Sequence, residues 1–142
     1  MHMSDIQLES RVAVVTGASR GIGQAIATAL ASQGLNVMMS GRSADLLSSV
    51  AQQIATTLRS EKQSGRIETH TADVRDPVQM EDLMAKTVDT FGRLDILINN
   101  AGVGHFQELA ELSVEDWNKV IETNLSGVFF ACRSAIPLLK VS

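Results

Sequence analysis

The sequence contains no tyrosine and a single cysteine among its 142 residues. The lone cysteine, Cys132, excludes a disulfide within the chain and is typical of a reducing compartment, so we expect a cytoplasmic protein. We expect its thiol to be packed on a helix rather than to act as a nucleophile. The absence of tyrosine excludes any proton transfer that a phenolic hydroxyl of this chain would perform.

The charge balance and the longest apolar region exclude two classes of partner. With 12 lysines and arginines against 16 aspartates and glutamates, the net charge is −4, which leaves no basic surface for nucleic acid. The apolar region at 120–139 is interrupted by Glu122, Asn124 and Arg133, so it is not a membrane span. We therefore expect neither a nucleic acid nor a membrane as a partner.

Length and composition predict one globular domain over residues 1–142. Hydrophobic residues make up 44% and charged residues 20% of the chain, as in soluble globular proteins, and the length suffices for one core but not for two. We expect Met1 and His2 to have been added ahead of a native Met3.

Short apolar runs alternate with longer amphipathic segments, which is typical of a parallel α/β fold. The apolar runs predict strands at 12–15, 36–40, 67–72 and 94–98. The third intervening helix is predicted to begin with Asp76 as N-cap, Pro77 at the first helical position and Gln79 completing a capping box.

The last segment predicts one long helix, with Ser113 as its N-cap and Leu139 near its end. The second half of this helix is apolar nearly all round, and such a helix requires burial on more than one side. We therefore expect the chain to form a homo-oligomer through this helix or to be complemented by another polypeptide.

A glycine-rich turn, Thr-Gly-Ala-Ser-Arg-Gly-Ile-Gly at 16–23, follows the first strand and precedes a helix. If the turn binds a pyrophosphate, Gly17 permits the bend, Gly21 lets the main chain approach the phosphates, and Gly23 lets the helix pack close to the strand. The N–H groups and dipole of that helix would face the anion. The context therefore predicts a dinucleotide site.

Four motifs in this order resemble the short-chain dehydrogenase/reductase family: the glycine-rich turn at 16–23, Asp73-Val74 after the third strand, Asn-Asn-Ala-Gly at 99–102, and Asn124 in the long helix. The resemblance covers the chain from about Glu9 onward. It implies a three-layer, doubly wound parallel sheet of the Rossmann type that ends, in this chain, after the fourth strand and the long helix. It also implies hydride transfer between a nicotinamide cofactor and a small carbonyl or alcohol substrate.

The resemblance implies a role for each motif. Asp73 would accept a hydrogen bond from the adenine amine, the Val74 amide would complete that edge, and the turn at 99–102 would support the sheet and line the adenosine region. Asn124 would be the active-site asparagine, which holds a helix kink and a water near a catalytic lysine. The implied cofactor-binding residues are Gly17, Ser19, Arg20, Gly21, Ile22, Gly23, Arg42, Asp73, Val74, Asn100, Ala101 and Gly102.

The end of the second strand favours NADP(H) over NAD(H). A carboxylate there would bind the ribose hydroxyls of NAD and repel a 2′-phosphate, but the sequence reads Ser-Gly-Arg-Ser at 40–43, with no acid before Asp45. Arg42 offers a planar fork to a phosphate, Arg20 is a second donor, and Ser40 and Ser43 add two hydroxyls with no opposing acid. The alternative is that both arginines are solvated loop residues.

The proton-transfer groups of the family are missing from this sequence. In the family a Tyr-x-x-x-Lys pair and a serine perform that step, and no tyrosine is present here. We therefore expect the chain to be the cofactor-binding part of an enzyme and to be inactive by itself. Without further strands, the fourth strand would be an exposed apolar edge.

The same residues bear on other possible functions of the chain. A non-catalytic protein of this fold that binds a nucleotide or a partner remains an alternative. The missing acid after the second strand disfavours a methyltransferase, and the missing Gly-Lys-Ser/Thr excludes a phosphate-loop NTPase. No cluster of histidines, cysteines and carboxylates has metal-ligand spacing, and His105 is interpreted as a loop residue.

Overall fold

The computed structural model describes residues 8–61, 64–139 and 141, so Met1 and His2 lie outside the described part. Its centre is a parallel sheet of four strands in the order β3-β2-β1-β4. The strands are β1 (Val12–Val15), β2 (Asn36–Gly41), β3 (Ile67–Thr71) and β4 (Ile96–Ile98). The parallel α/β architecture predicted from the alternating pattern is confirmed.

Helices connect the strands and cover both faces of the sheet. They are α1 (Gly21–Ser32), α2 (Ala44–Leu58), α3 (Pro77–Phe91), α4 (Val114–Ile121) and α5 (Gly127–Leu139). Successive strand residues point to opposite faces. Val14 and Met38 pack under α3 and α5, whereas Val15 and Met39 pack under α1 and α2. The two hydrophobic clusters give the predicted three-layer arrangement.

The predicted N-cap of α3 is present, but the predicted capping box is wrong. The Asp76 carboxylate accepts hydrogen bonds from the N–H groups of Val78 and Gln79 at 2.9 and 3.2 Å. A capping box would have the Gln79 side chain accept from the Asp76 N–H. Instead that N–H donates to the Asp73 carbonyl, and the Gln79 Oε1 accepts from the Asp73 N–H at 2.8 Å. Gln79 therefore joins the loop after β3 to the Asp76 side chain, to which its Nε2 donates at 3.0 Å, instead of closing a capping box.

The predicted long helix is interrupted at its centre. Ser113 caps α4 as expected, by accepting from the Asp116 N–H at 3.0 Å. A π-helical turn at Glu122–Ser126 then separates α4 from α5. Such a turn inserts one residue into the helical repeat and changes the direction of nearby side chains.

Only small side chains of α5 are fully covered. Gly127, Ala131 and Ala135 are buried, whereas Phe129 of α5 is 58% exposed and Leu125 of the preceding π turn is 64% exposed. The covered side faces the sheet and α3, and the remaining apolar face lies on the surface. Burial on more than one side, and the oligomer it would require, stay predictions.

Strand β4 is an edge strand and is shorter than predicted. Asp95 precedes it and is nearly buried, with a side chain that is 1% exposed. Its carboxylate accepts from the Val12 N–H at 2.9 Å, while the Asp95 N–H donates to the Val12 carbonyl. These contacts tie the start of β4 to the central strand.

Candidate functional site

A cavity of about 390 Å³ lies at the carboxyl ends of the strands. The loops after β1, β2, β3 and β4 all contribute to it, together with Thr123 of the π turn. In open parallel sheets this edge is where ligands bind, because the loops after neighbouring strands meet there. The lining residues are Gly17, Ser19, Arg20, Gly21, Ile22, Ser40, Gly41, Arg42, Ala72, Asp73, Val74, Asn100, Ala101, Gly102, Val103 and Thr123.

The glycine-rich turn forms one wall of the cavity. Gly17 and Gly21 have φ angles of 61° and 55°, in the left-handed region that favours glycine. A Cβ on Gly21 would meet no atom within 4 Å, so the backbone there borders open space. A Cβ on Gly23 would clash with the Gly17 carbonyl oxygen and the Asn100 Nδ2, so this glycine permits close packing instead of lining the cavity.

The amino end of α1 borders the same cavity. Its N-cap residue, Arg20, makes no side-chain capping bond, and the first turn of the helix contains no acidic residue. The first N–H groups of a helix lack internal partners and carry the positive end of its dipole. This end of α1 is therefore suited to an anionic group.

Asn100 joins the loop after β4 to the glycine-rich turn. Its Nδ2 donates to the carbonyls of Thr16 and Gly17 at 3.1 and 3.0 Å. In return, the Thr16 hydroxyl accepts from the N–H groups of Asn100 and Ala101, each at 3.1 Å. Reciprocal bonds of this kind fix two loops that are 84 residues apart in sequence.

The end of β2 brings hydroxyl and guanidinium groups to the cavity. Arg42 and Ser40 line it, and the Ser40 Oγ is buried with no hydrogen-bond partner among the described residues. Ser43, the second hydroxyl of the predicted phosphate site, does not line the cavity. Its oxygen caps α2 by accepting from the Leu46 N–H at 3.4 Å.

Asp73 is the carboxylate that lines the cavity, and Arg75 holds it. The Arg75 Nη2 donates to Oδ2 at 2.6 Å, and the Nε lies 3.1 Å from both carboxylate oxygens. These bonds lower the pKa of Asp73 against the opposing effect of burial, and the charge of Arg42 lowers it further. Sequence reasoning missed Arg75, whose only signal was its place two residues after the aspartate.

Asn124 lies in the π turn beside the cavity and does not line it. Its Oδ1 accepts from the Val103 N–H and its Nδ2 donates to the Val103 carbonyl, both at 2.8 Å. These two bonds join the loop after β4 to the long helix. The asparagine is thus used by the fold, as its unfavourable position in a helix indicated.

The structure brings most of the predicted site residues together. All the predicted cofactor-binding residues except Gly23 line the cavity, and five residues were not in that set. Those five are Ser40, Gly41, Ala72, Val103 and Thr123. They contribute to the cavity through their position at strand ends and on the π turn, which residue type alone does not indicate.

The other residues singled out in the sequence lie apart from the cavity. The Cys132 Sγ accepts from the Asn99 Nδ2 at 3.3 Å, and His105 Nε2 lies 3.4 Å from Asp116 Oδ1. Among the described residues, no group of histidines, cysteines and carboxylates is arranged to hold a metal ion. No helix in the part of the chain that the structure describes has the length and apolar character to cross a membrane.

Comparison with known sequences gives a consistent result. The sequence model of the short chain dehydrogenase family matches residues 11–142. A D-beta-hydroxybutyrate dehydrogenase from Rhizobium meliloti (strain 1021) is 39% identical over 132 residues, which are 92% of this chain and 49% of that protein. The chain thus spans about half the length of the curated relatives that it matches.

Solved structures agree in fold as well as in sequence. An alcohol dehydrogenase from the archaeon Thermococcus sibiricus, complexed with 5-hydroxy-NADP, is 38% identical with a TM-score of 0.84, over 92% of this chain and 54% of that chain. A short chain dehydrogenase from Mycobacterium smegmatis is 30% identical with a TM-score of 0.87, over 96% and 55% of the two chains. Together with the parallel sheet and the cavity built on the glycine-rich turn, these matches show that the chain belongs to the short-chain dehydrogenase/reductase family.

Proposed function

We propose that this chain is the cofactor-binding part of an NADP(H)-dependent oxidoreductase, which transfers hydride between the nicotinamide and a small carbonyl or alcohol substrate. The observation that carries the proposal is the cavity itself. It combines the open backbone at Gly21, the uncapped amino end of α1 and the turn at 99–102 in one site.

The residues of the cavity fit a dinucleotide. The open backbone at Gly21 and the amino end of α1 would take the pyrophosphate, and Asp73 with Val74 would take the adenine. The buried Ser40 hydroxyl, which has no partner among the described residues, is a polar group available to the cofactor or to a bridging water. When bound, the nicotinamide supplies the hydride chemistry, and the protein supplies binding and orientation.

The end of β2 supports a preference for NADP(H). Arg42 and Arg20 both line the cavity, and the strand ends on Ser40 and Gly41 without an acid. A guanidinium binds a 2′-phosphate through paired N–H donors, whereas a carboxylate at this point would repel it. The relative from Thermococcus sibiricus, crystallised with 5-hydroxy-NADP, is consistent with this preference.

Catalysis requires groups that this sequence does not contain. Reduction of a carbonyl needs a proton donor at the substrate oxygen, and the sequence has no tyrosine to supply it. We infer that the tyrosine and lysine of the family come from outside these 142 residues. The role of Asn124 would be to hold the π turn against Val103, at the border of the site.

Two further features of the proposal concern the setting of the protein. The exposed apolar side chains of the long helix, such as Leu125 and Phe129, support assembly into a homo-oligomer through this helix. The single cysteine supports a cytoplasmic location.

Cofactor preference is tested by titrating the chain with NADPH and with NADH, using calorimetry or quenching of the Trp117 fluorescence. We expect NADPH to bind more tightly, and Arg42→Gln to weaken NADPH binding by about 10- to 100-fold, the range for a charged hydrogen bond. NADH binding should be unchanged. Arg59→Gln, at the end of α2 and outside the cavity, is the matched control.

The same titration tests the cofactor preference, and a turnover assay tests whether the chain is catalytically incomplete. Equal or tighter binding of NADH would overturn the NADP(H) preference. A non-catalytic nucleotide-binding protein of the same fold is the second candidate, favoured by the missing tyrosine. Turnover of NADPH with a carbonyl substrate by the chain alone would contradict our inference that it is catalytically incomplete.

A further inference from the structure

Arg75 lies outside the cavity, yet it binds Asp73, the carboxylate that lines the cavity among the described residues. Three donors of Arg75 reach Asp73: the backbone N–H at 3.0 Å from Oδ1, the Nη2 at 2.6 Å from Oδ2, and the Nε at 3.1 Å from each oxygen. The Asp73 side chain is 24% exposed, so part of it still faces the cavity.

The backbone of Asp73 is fixed as well as its carboxylate. Its N–H donates to the Gln79 Oε1 at 2.8 Å, and the Gln79 Nε2 in turn donates to the Asp76 Oδ2 at 3.0 Å. An aspartate at a loop end is otherwise free to rotate about two side-chain bonds. Here the bonds from Arg75 restrict that rotation, so that the carboxylate is presented to the cavity in one orientation.

The bonds from Arg75 leave acceptor capacity for a ligand. Arg75 makes four contacts with the carboxylate, two on each oxygen, and two of them share the single Nε hydrogen at 3.1 Å. A hydrogen shared between two acceptors bonds only weakly to each, so the partly exposed carboxylate can still accept from an amino group in the cavity. It cannot donate, since the guanidinium keeps the pKa of Asp73 low and the carboxylate ionised.

We propose that Arg75 is a positioning residue that makes the site select the amino edge of adenine over the keto edge of hypoxanthine. This inference rests on the proposed function. The adenine amine would donate to the ionised and oriented carboxylate of Asp73. Hypoxanthine presents a carbonyl oxygen at the same position, which would face the carboxylate with no hydrogen between two acceptors.

Two other charged groups lie near this pair and bear on its pH dependence. Arg42, at the end of β2, lowers the pKa of Asp73 together with Arg75. Asp73 raises the pKa of Arg75 most, and Glu122, the first residue of the π turn, raises it further. Arg75 therefore keeps its charge between two carboxylates, and Asp73 keeps its charge between two guanidinium groups.

The test compares binding of NADPH with binding of its hypoxanthine counterpart, reduced nicotinamide hypoxanthine dinucleotide phosphate. In the wild-type chain we expect a preference for NADPH of about 30-fold, within the range for a hydrogen bond to a charged group. Arg75→Gln should reduce the preference to about 3-fold by weakening NADPH binding. Arg75→Lys keeps the charge without the planar fork and should give an intermediate ratio.

The pH dependence of the preference separates positioning from a general structural effect. Arg75 is the main group that lowers the pKa of Asp73 against the effect of burial, so the preference of Arg75→Gln should fade at a higher pH than that of the wild type. Arg59→Gln should match the wild type in ratio and pH profile. Thermal melting establishes whether each variant is folded. If Arg75→Gln does not fold, the ratio measured for Arg75→Lys tests the inference.

The outcomes of this binding test distinguish a failure of the inference from a failure of the proposed function. An unchanged ratio and pH profile in a folded Arg75 variant would overturn the inference and leave the proposed function intact, as would a wild-type chain that binds both dinucleotides equally. A wild-type chain that binds neither dinucleotide would overturn the proposed function, and this inference with it.

Discussion

Replacing Thr16 by valine tests whether the hydroxyl between the two loops stabilises the site. Thr16 is 1% exposed, and its Oγ1 accepts from the N–H groups of Asn100 and Ala101 at 3.1 Å each. Valine has nearly the same shape and removes the hydroxyl, which is the acceptor for these N–H groups and a donor 3.4 Å from the Ile98 carbonyl. That carbonyl keeps the N–H groups of Thr16 and Asn100 as donors in the variant. The perturbation is therefore one of hydrogen bonding, with little change in packing.

The expected loss of stability depends on which hydrogen-bond acceptors each N–H group keeps in the valine variant. The Asn100 N–H also lies 3.1 Å from the Ile98 carbonyl, so it keeps an acceptor in the variant. The Ala101 N–H has no second acceptor among the described residues and would be left unsatisfied. One orphaned donor costs about 1–3 kcal/mol, and the weakened second bond adds about 0.5–1 kcal/mol. We expect the free energy of unfolding to fall by about 1.5–4 kcal/mol in total.

Thermal or urea unfolding measures this loss, with Thr16→Ser as the matched control. Serine keeps the hydroxyl and loses one buried methyl, which costs about 1 kcal/mol. At roughly 3–4 °C per kcal/mol for a domain of this size, valine should lower the melting temperature by about 5–16 °C. Serine should lower it by about 3–4 °C. If the valine variant is as stable as the serine variant, or more stable, the assigned role of the hydroxyl is wrong.

Three further perturbations test other parts of the structure. Gly23→Ala should destabilise the fold and weaken NADPH binding, because its Cβ would clash with the Gly17 carbonyl oxygen and the Asn100 Nδ2; unchanged unfolding would contradict this. Burial raises the pKa of Asp95, but hydrogen bonds from an arginine and a backbone N–H hold it below its usual value. The ionised carboxylate therefore stabilises the fold at pH values above its pKa in the unfolded chain, and this stabilisation is lost as the pH falls through its pKa in the folded chain. The free energy of unfolding, measured by denaturation at pH 7 and at about pH 3, should therefore decrease less for Asp95→Asn than for the wild type. Asn124→Ala should remove two hydrogen bonds to the loop at 103–112, lower stability by about 1–2 kcal/mol and speed proteolysis within that loop; equal cleavage rates would refute the assigned role.

The strands and the glycine-rich turn were predictable because their signals are local. Four consecutive apolar residues at Val12–Val15 and the glycines that follow them determine a buried strand and a left-handed turn from the residues themselves. The N-caps at Asp76 and Ser113 were predictable for the same reason, since a capping oxygen bonds to N–H groups two or three residues away.

The failures occurred where a side chain had competing local partners. Gln79 fits a capping box by spacing, but the chain turns after β3 so that its carboxamide reaches the Asp73 N–H instead. Ser43 fits a phosphate site by type, but its oxygen caps α2. In both cases the loop conformation, which spacing does not specify, decides between two bonds of similar strength.

Residue types alone establish the order of strands and helices along the chain, the turn at 16–23 and the missing tyrosine. These depend on residue type and on contacts within a few residues. The folded chain alone shows that Asn100 bonds to Thr16, that Arg75 bonds to both carboxylate oxygens of Asp73 beside the cavity, and that a π turn at Glu122–Ser126 divides the long helix. Such pairings depend on where the sheet places loops far apart in sequence and on the rotamers that packing selects there, and the pattern of residue types does not specify either.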